Sequence, residues 1–197
     1  MEKIEQIEQY ARQNHIPVLL KDSAEFLCNY VKENKPKEIL EIGTAIGYSG
    51  SLMLLSNPCG QLTTIEKDKT SFNIATNNFE KLNLASRVCQ MLGDGYEQIL
   101  RLKDGGKKYD LIFLDGPKGQ YLKYYRVLME MLNSNGTLIV DNVLFRGLVR
   151  SNIDVGHKWR AMITKLRIFL NEIETRQDLN TKICEIGDGI AIIKLKK

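Results

Sequence analysis

Between residues 38 and 141 the chain alternates short apolar runs with longer stretches of helical spacing, and this alternation constrains its fold more than any other feature. The runs are Glu38–Ile42, Gln61–Glu66, Val88–Leu92, Tyr109–Asp115 and Gly136–Asp141. They have the length of buried strands, and most end on an acidic residue or a glycine. The stretches between them, Tyr48–Leu55, Lys69–Leu82, Gly95–Leu102 and Gln120–Leu132, repeat apolar residues with the helical period. Strand and helix in alternation predict parallel βαβ units, hence an α/β chain with a doubly wound sheet. The ends depart from this pattern. Two amphipathic helices, at 2–13 and 22–34, flank His15-Ile16-Pro17-Val18. A helical stretch at 156–176 precedes two apolar runs, Thr181–Ile186 and Ile190–Leu195, joined through Gly187-Asp188-Gly189. Asp-Gly between such runs is a hairpin signal, so the sheet is expected to finish with an antiparallel pair. With 197 residues and no repeat or Pro/Gly-rich linker, one domain over 1–197 is the economical reading.

Composition excludes several classes. The chain is 43% hydrophobic with mean hydropathy −0.25, which is neither disordered nor fibrous. No stretch of about 18 apolar residues could span a membrane. The first residues, MEKIEQIEQYARQNH, lack the apolar core of a secretory signal. Cys28, Cys59, Cys89 and Cys184 show no C-x-x-C spacing and are expected in apolar surroundings, arguing against a disulfide framework or a zinc site. A cytoplasmic location is expected. The net charge of +4 is mild, but its distribution is uneven. Residues 142–170 carry Arg146, Arg150, Lys158, Arg160, Lys165 and Arg167 against the single Asp154, and the chain ends in KLKK. Such a surplus is either a solvated helix face or a surface for phosphates.

The glycine-rich turn Glu41-Ile42-Gly43-Thr44-Ala45-Ile46-Gly47-Tyr48-Ser49-Gly50 follows the first strand and opens a helix. Glycine lets backbone approach a nucleotide closely, and the helix start offers free N–H groups. The spacing E-x-G-x-x-x-G lacks the tight glycine pair that cradles a pyrophosphate, and no P-loop Lys-Ser/Thr is present. A cofactor containing adenosine but no phosphate fits better than NAD. Glu66, at the next strand end and about 20 residues downstream, can accept ribose hydroxyls. Asp94, in Gly93-Asp94-Gly95, could accept from an adenine amino group while Gly95 lets the ring lie close. Asp94 could equally be a helix N-cap.

The fourth and fifth runs end in Asp115-Gly116-Pro117-Lys118 and Asp141-Asn142. Two carboxylates and an amide are hard oxygen donors suited to Mg²⁺, or to Ca²⁺ or Mn²⁺. The alternative is that the acids only cap their loops, leaving their repulsion uncompensated.

The segments EILEIGTAIGYSG, TIEKD, GDG, YDLIFLDGPKGQY, VDNVLFRGLV and IGDGIAIIKLKK together resemble the class I, metal-dependent O-methyltransferases of the catechol and caffeoyl-CoA type. The resemblance covers essentially the whole chain. Through YARQNHIPVLL, GTAIGYS, KGQY and DNVLF it is most similar to the bacterial branch that methylates 5-hydroxyuridine at the tRNA wobble position, giving 5-methoxyuridine. The resemblance implies a Rossmann-like fold with a mostly parallel seven-stranded sheet and helices on both faces, S-adenosylmethionine (SAM) as cofactor, a divalent cation and a homodimer. It also implies residue roles. Gly43 and Ser49 would contact the methionine portion, Glu66 the ribose, and Asp94 with Gly95 the adenine. Leu19 would close over the cofactor, the helices within 1–34 forming part of a lid. Asp115 would serve both metal and cofactor, Asp141 and Asn142 would complete the metal site, and Lys118 would be the catalytic base. Gly116-Pro117 departs from the pair of small residues common in bacterial relatives.

For the acceptor, a tRNA would be gripped by Arg146, Arg150, Lys158 and Arg160, whereas a small catechol-like or phenolic compound would leave them idle. A non-catalytic RNA- or nucleotide-binding module has no use for the set Asp115, Lys118, Asp141 and Asn142. Tyr121, Tyr124, Tyr125, Phe145 and Trp159 are candidates to stack on a splayed-out base.

Overall fold

A computed structural model describes residues 2–154 and 156–196. Contacts divide the chain into two compact units, Met1–Gln98 and Ile99–Lys197.

The first unit begins with helices α1 (Glu2–Gln13) and α2 (Lys21–Asn34), followed by β1 (Glu38–Ile42), α3 (Tyr48–Ser56), β2 (Gln61–Glu66), α4 (Lys69–Lys81) and β3 (Val88–Leu92). Helix α5 (Gly95–Asp104) runs across the division. The strands lie in the order β3-β2-β1 and are parallel, with Glu38 opposite Gln61 and Leu62 opposite Val88. β1 is buried over four of its five residues, as a strand covered on both faces must be. β3 has no buried residue, because it borders only β2, and Cys89 is exposed there. Cys59 is exposed too, so the expected apolar surroundings do not hold for these two thiols, and all four cysteines are free.

α3 packs tightly against the strands because Gly50 lacks a side chain: a Cβ there would lie 2.7 Å from Leu62 Cδ2 and 2.9 Å from Glu41 Oε2. Beyond α3, the Arg87 guanidinium donates to the Leu54 carbonyl, which the helix end leaves open, and to the carbonyls of Asn57, Pro58 and Gly60 in the loop that follows. α4 starts on Asp68, whose Oδ1 accepts from the Ser71 amide at 2.7 Å.

The second unit contains β4 (Tyr109–Leu114), a 3₁₀ turn at Lys118–Gln120, α6 (Tyr121–Glu130), β5 (Leu132–Val140), α7 (His157–Thr175), β6 (Leu179–Cys184) and β7 (Ile190–Leu195). Its strand order is β4-β5-β7-β6. β4 and β5 are parallel, with Leu114 opposite Val140, whereas β7 runs antiparallel to both β5 and β6. β5 starts four residues earlier than its apolar run, since Leu132 already pairs with Tyr109 ahead of an irregularity. Side chains that do not follow the apolar alternation hold this stretch, with Asn133 Nδ2 donating to Asp110 Oδ1 at 2.7 Å. The core of this unit includes Phe113, Tyr121, Tyr124, Tyr125 and Phe169. The seven strands give the Rossmann-like α/β fold, mostly parallel, with the expected C-terminal antiparallel hairpin. No helix among the described residues is long and apolar enough to cross a membrane.

Gly50 provides a test in which packing opposes propensity. Glycine to alanine in an open helix stabilises by about 1 kcal/mol. Gly50→Ala is expected instead to destabilise by about 1–3 kcal/mol through overpacking, read as a lower urea midpoint. An unchanged or higher midpoint would show that α3 has room to move outward.

Candidate active site

In the first unit the glycine-rich turn leaves β1 with Gly43 at φ 101°, Ala45 at φ 44° and Gly47 at φ 82°. Gly43 N and Thr44 N both donate to the Ile65 carbonyl, at 3.1 and 3.2 Å, tying the turn to β2. Beneath it lies a carboxylate to which sequence reasoning assigned no role. Glu41 is fully buried and accepts from Ser49 Oγ at 2.5 Å and from Thr64 Oγ1 at 2.7 Å. Ser49, expected at the methionine portion of a cofactor, thus directs its hydroxyl into the strand layer. The signal for Glu41 was present as the first letter of E-x-G-x-x-x-G, an acid within an otherwise apolar strand.

Glu66 ends β2. Its Oε2 accepts from Ala45 N at 2.8 Å, and its Oε1 from Lys67 N and Asp68 N at 2.9 and 2.8 Å. These bonds aim the carboxylate; Oε1 accepts two amides, so it is the second lone pair of Oε2 that leaves acceptor capacity for a ribose hydroxyl. Asp94 caps α5, with Oδ1 accepting from Tyr96 N and Glu97 N at 3.0 and 3.2 Å. Gly95 opens that helix. Leu19 is buried in the segment between α1 and α2.

In the second unit the parallel pairing of β4 and β5 brings Asp115 and Asp141 to neighbouring strand ends, where Asp141 N donates to Leu114 O at 3.1 Å. The loop through Gly116-Pro117 turns back into the 3₁₀ turn, with Gln120 N donating to Pro117 O at 2.8 Å. Lys118 Nζ consequently lies 3.8 Å from Asp115 Oδ1. Asn142, at φ 58°, directs Nδ2 to Asp141 Oδ2 at 3.0 Å. Asp115, Lys118, Asp141 and Asn142 therefore belong to one locus.

Its electrostatics are unusual. Asp141 is 1% exposed, and burial, reinforced by the neighbouring Asp115 charge, raises its carboxyl to about 7. Burial also raises Asp115, against the pull of Lys118. Asp141 Oδ1 is buried without a hydrogen-bond partner, a costly arrangement for a carboxylate. Under these two acids the Tyr121 hydroxyl donates to the Asp141 carbonyl at 3.0 Å. Its own acidity is suppressed well below that of a free phenol, by burial first and then by the two carboxylates. Among the described residues no group of three or more His, Cys, Asp or Glu side chains converges. The donor set is therefore two carboxylates and an amide, hard oxygen ligands with an orphaned oxygen, and a divalent cation fits it.

A family model described as O-methyltransferase matches residues 2–196. The chain belongs to the O-methyltransferase family. This O-methyltransferase is 27% identical over 181 residues to caffeoyl-CoA O-methyltransferase 2 of Petunia hybrida, covering 88% of this chain and 74% of that protein. Its structure is similar to that of a Staphylococcus aureus protein provisionally assigned as a caffeoyl-CoA O-methyltransferase, at TM-score 0.90 and 30% identity, covering 98% and 92% of the two chains. It shares its fold with an O-methyltransferase from Bacillus cereus in complex with SAH, at TM-score 0.88 and 22% identity over 100% and 91% of the chains.

The basic stretch is less available in this O-methyltransferase than its sequence suggests. Arg150 pairs with Glu174 at 2.6 Å and Arg160 with Asp154 at 3.1 Å. Arg167 donates to the carbonyls of Leu148, Val149 and Ser151. Arg146 lies over the Phe145 ring, 5.9 Å from its centroid, and Lys158 over Trp159 at 4.8 Å. Tyr121, Tyr124 and Tyr125 are buried and cannot stack on a ligand base, while Phe145 and the part-exposed Trp159 pair at 5.4 Å. Lys197, the last lysine of the tail, lies outside the described residues.

The raised Asp141 sets the sign of a pH effect. The folded chain holds this proton more tightly than the unfolded chain, so the stability that Asp141 contributes without metal is greatest at low pH. It is lost as pH rises from about 4 through 7, by on the order of 4 kcal/mol at most. In chelator, Asp141→Asn is expected to melt above the parent at pH 8 and close to it at pH 4.5. Equal melting temperatures at both pH values would contradict the buried-charge account.

Proposed function

We propose that this chain is a SAM-dependent O-methyltransferase whose acceptor is a catechol-like or phenolic compound presenting two adjacent oxygens. The observation that carries this reading is the convergence of Asp115, Asp141 and Asn142 with Lys118 Nζ 3.8 Å from Asp115 Oδ1. The caffeoyl-CoA O-methyltransferases among its relatives and the SAH complex of the Bacillus cereus enzyme support it.

Asp115, Asp141 and Asn142 would hold a divalent cation, and the turn at Gly43 with Glu66, Asp94 and Gly95 would hold SAM. When bound, SAM supplies the electrophilic methyl group, and the cation supplies Lewis acidity toward the acceptor's hydroxyl. The chain's own task is positional. Transfer from a sulfonium is an in-line displacement, and alignment accounts for much of its acceleration. Glu66, its oxygens aimed by three amides, orients the ribose. Asp115 keeps Lys118 beside the acidic pair, where Nζ, once it has released its own proton to solvent, would receive the proton of the acceptor hydroxyl. Tyr121, whose hydroxyl is held in its protonated form by burial and the two carboxylates, fixes the Asp141 backbone.

A second reading, methylation of 5-hydroxyuridine at the tRNA wobble position, is favoured by one observation. The Phe145–Trp159 ring pair is flanked by the Arg146 and Lys158 cations, an arrangement suited to a base and its phosphates. Surface ion pairs such as Arg150–Glu174 and Arg160–Asp154 are worth about 0–1 kcal/mol, so these arginines could exchange partners for phosphates.

Labelled SAM offered with catechols, caffeoyl-type phenols and tRNA lacking the modification discriminates between the readings. The first expects methylated phenol; 5-methoxyuridine in the nucleoside digest, together with no phenol product, would replace it with the second. Chelator is expected to abolish transfer and Mg²⁺ to restore it, and full turnover in chelator would reject the metal. Lys118→Met should lower kcat by about 10²–10⁴-fold with SAM affinity retained. On the tRNA reading, Arg146→Ala with Lys158→Ala weakens RNA binding and flattens its salt dependence.

A further inference from the structure

Asp141 and Asn142 begin a segment whose backbone is strained. Asn142, Phe145 and Arg146, none of them glycine, have φ of 58°, 40° and 56°. A non-glycine residue in this region is strained and persists only where surrounding contacts over-determine it. On one side the contact is the Tyr121 hydroxyl on the Asp141 carbonyl. On the other it is the turn of the C-terminal hairpin. Val143 N donates to Gly189 O at 2.9 Å, and Leu144 N and Phe145 N donate to Asp188 O at 2.9 and 3.2 Å. Three successive amides thus end on two carbonyls of a turn more than 40 residues away in sequence.

That engagement depends on one missing side chain. A Cβ on Gly189 would lie 2.7 Å from Leu144 Cβ and 2.9 Å from Leu144 Cδ1, and closer still to Cγ, and Gly189 has φ 88°. Leu144 is buried and cannot swing aside into solvent. The turn is itself closed by Gly189 N donating to Ile186 O at 2.9 Å, and β7 then runs back antiparallel along β5, with Ala191 opposite Val140. β5 and the turn are therefore held in one register, and any displacement of the turn is transmitted to residues 143–145.

We propose that the Gly187–Gly189 turn is the positioning element of the acidic locus, with Gly189 the residue that lets it seat against Leu144 and so fixes where Asp141 and Asn142 stand. Its consequence for metal binding rests on the functional reading above, but its effect on the backbone does not. Residues that orient metal ligands without touching the ion typically change affinity by roughly ten- to a hundredfold.

The test compares the full-length parent with Gly189→Ala. Amide hydrogen exchange at 143–145 is measured in chelator, and Mn²⁺ alone, followed by its paramagnetic signal, reports affinity at the acidic locus. Faster exchange at 143–145 is expected, with Mn²⁺ binding weakened about ten- to a hundredfold and SAM affinity within about twofold. The Mg²⁺ concentration giving half-maximal rate should rise while saturating Mg²⁺ restores kcat, a split that general loss of fold would not produce. Unchanged exchange at 143–145 overturns the proposal whatever the metal does. Should the parent fail to bind Mn²⁺ while Gly189→Ala still speeds exchange, the metal reading falls and the positioning role stands. Leu144→Ala, which empties the same contact without adding bulk, provides the same readouts if Gly189→Ala does not accumulate as folded protein. It too is expected to speed exchange at 143–145, and protection equal to the parent's would overturn the proposal.

Discussion

A buried carboxylate with an unpartnered oxygen, Asp141, is the constraint around which the second unit is organised. A charge there is opposed by desolvation and by Asp115 beside it, which is why its carboxyl is raised to about 7. Holding it in place takes the parallel pairing of β4 with β5, the Tyr121 hydroxyl beneath and the hairpin turn beyond. An arrangement stabilised from three directions and unfavourable in its own charge is one that the fold maintains at a cost. The raised pKa of Asp141 and the strained loop after it are two signs of that cost.

Glu41 in the first unit shows how differently a buried acid behaves when it is satisfied. It accepts from Ser49 and Thr64 and so joins the glycine-rich turn, α3 and β2 into one network. Gly50 lets α3 approach that network closely. The two buried acids would look alike to a composition count. Their partners separate them, since Glu41 oxygens meet hydroxyl donors whereas Asp141 keeps one oxygen with none.

Much of the fold could be read from periodicity. β1, β2 and β3 match their apolar runs residue for residue, and for β1, buried over four of its five residues, the reason is that a parallel strand covered on both faces must be apolar. β5 was harder: Leu132 to Gly136 carry asparagines and a serine, and a side-chain bond from Asn133 to Asp110 replaces the apolar signal. The exposure of β3 was equally hidden, since a strand's edge position depends on where its neighbours lie. The basic stretch at 142–170 showed the limit of charge counting. Half of its six cations are engaged by Glu174, Asp154 or backbone carbonyls, partners that sequence proximity does not reveal.

By itself the sequence determined the order of strands and helices, the glycine-rich turn, the acidic strand ends and the membership of the O-methyltransferase family, because periodicity, turn chemistry and motif spacing are local properties. Tertiary structure decided which groups face one another. It set Lys118 beside Asp115, left Asp141 Oδ1 alone, directed Ser49 inward to Glu41 and buried the three tyrosines of α6. It also seated the 187–189 turn on residues 143–145, through hydrogen bonds between groups more than 40 positions apart. Burial and long-range pairing are properties of the assembled units, and the same residue types in another register would carry neither the perturbed acid nor its support.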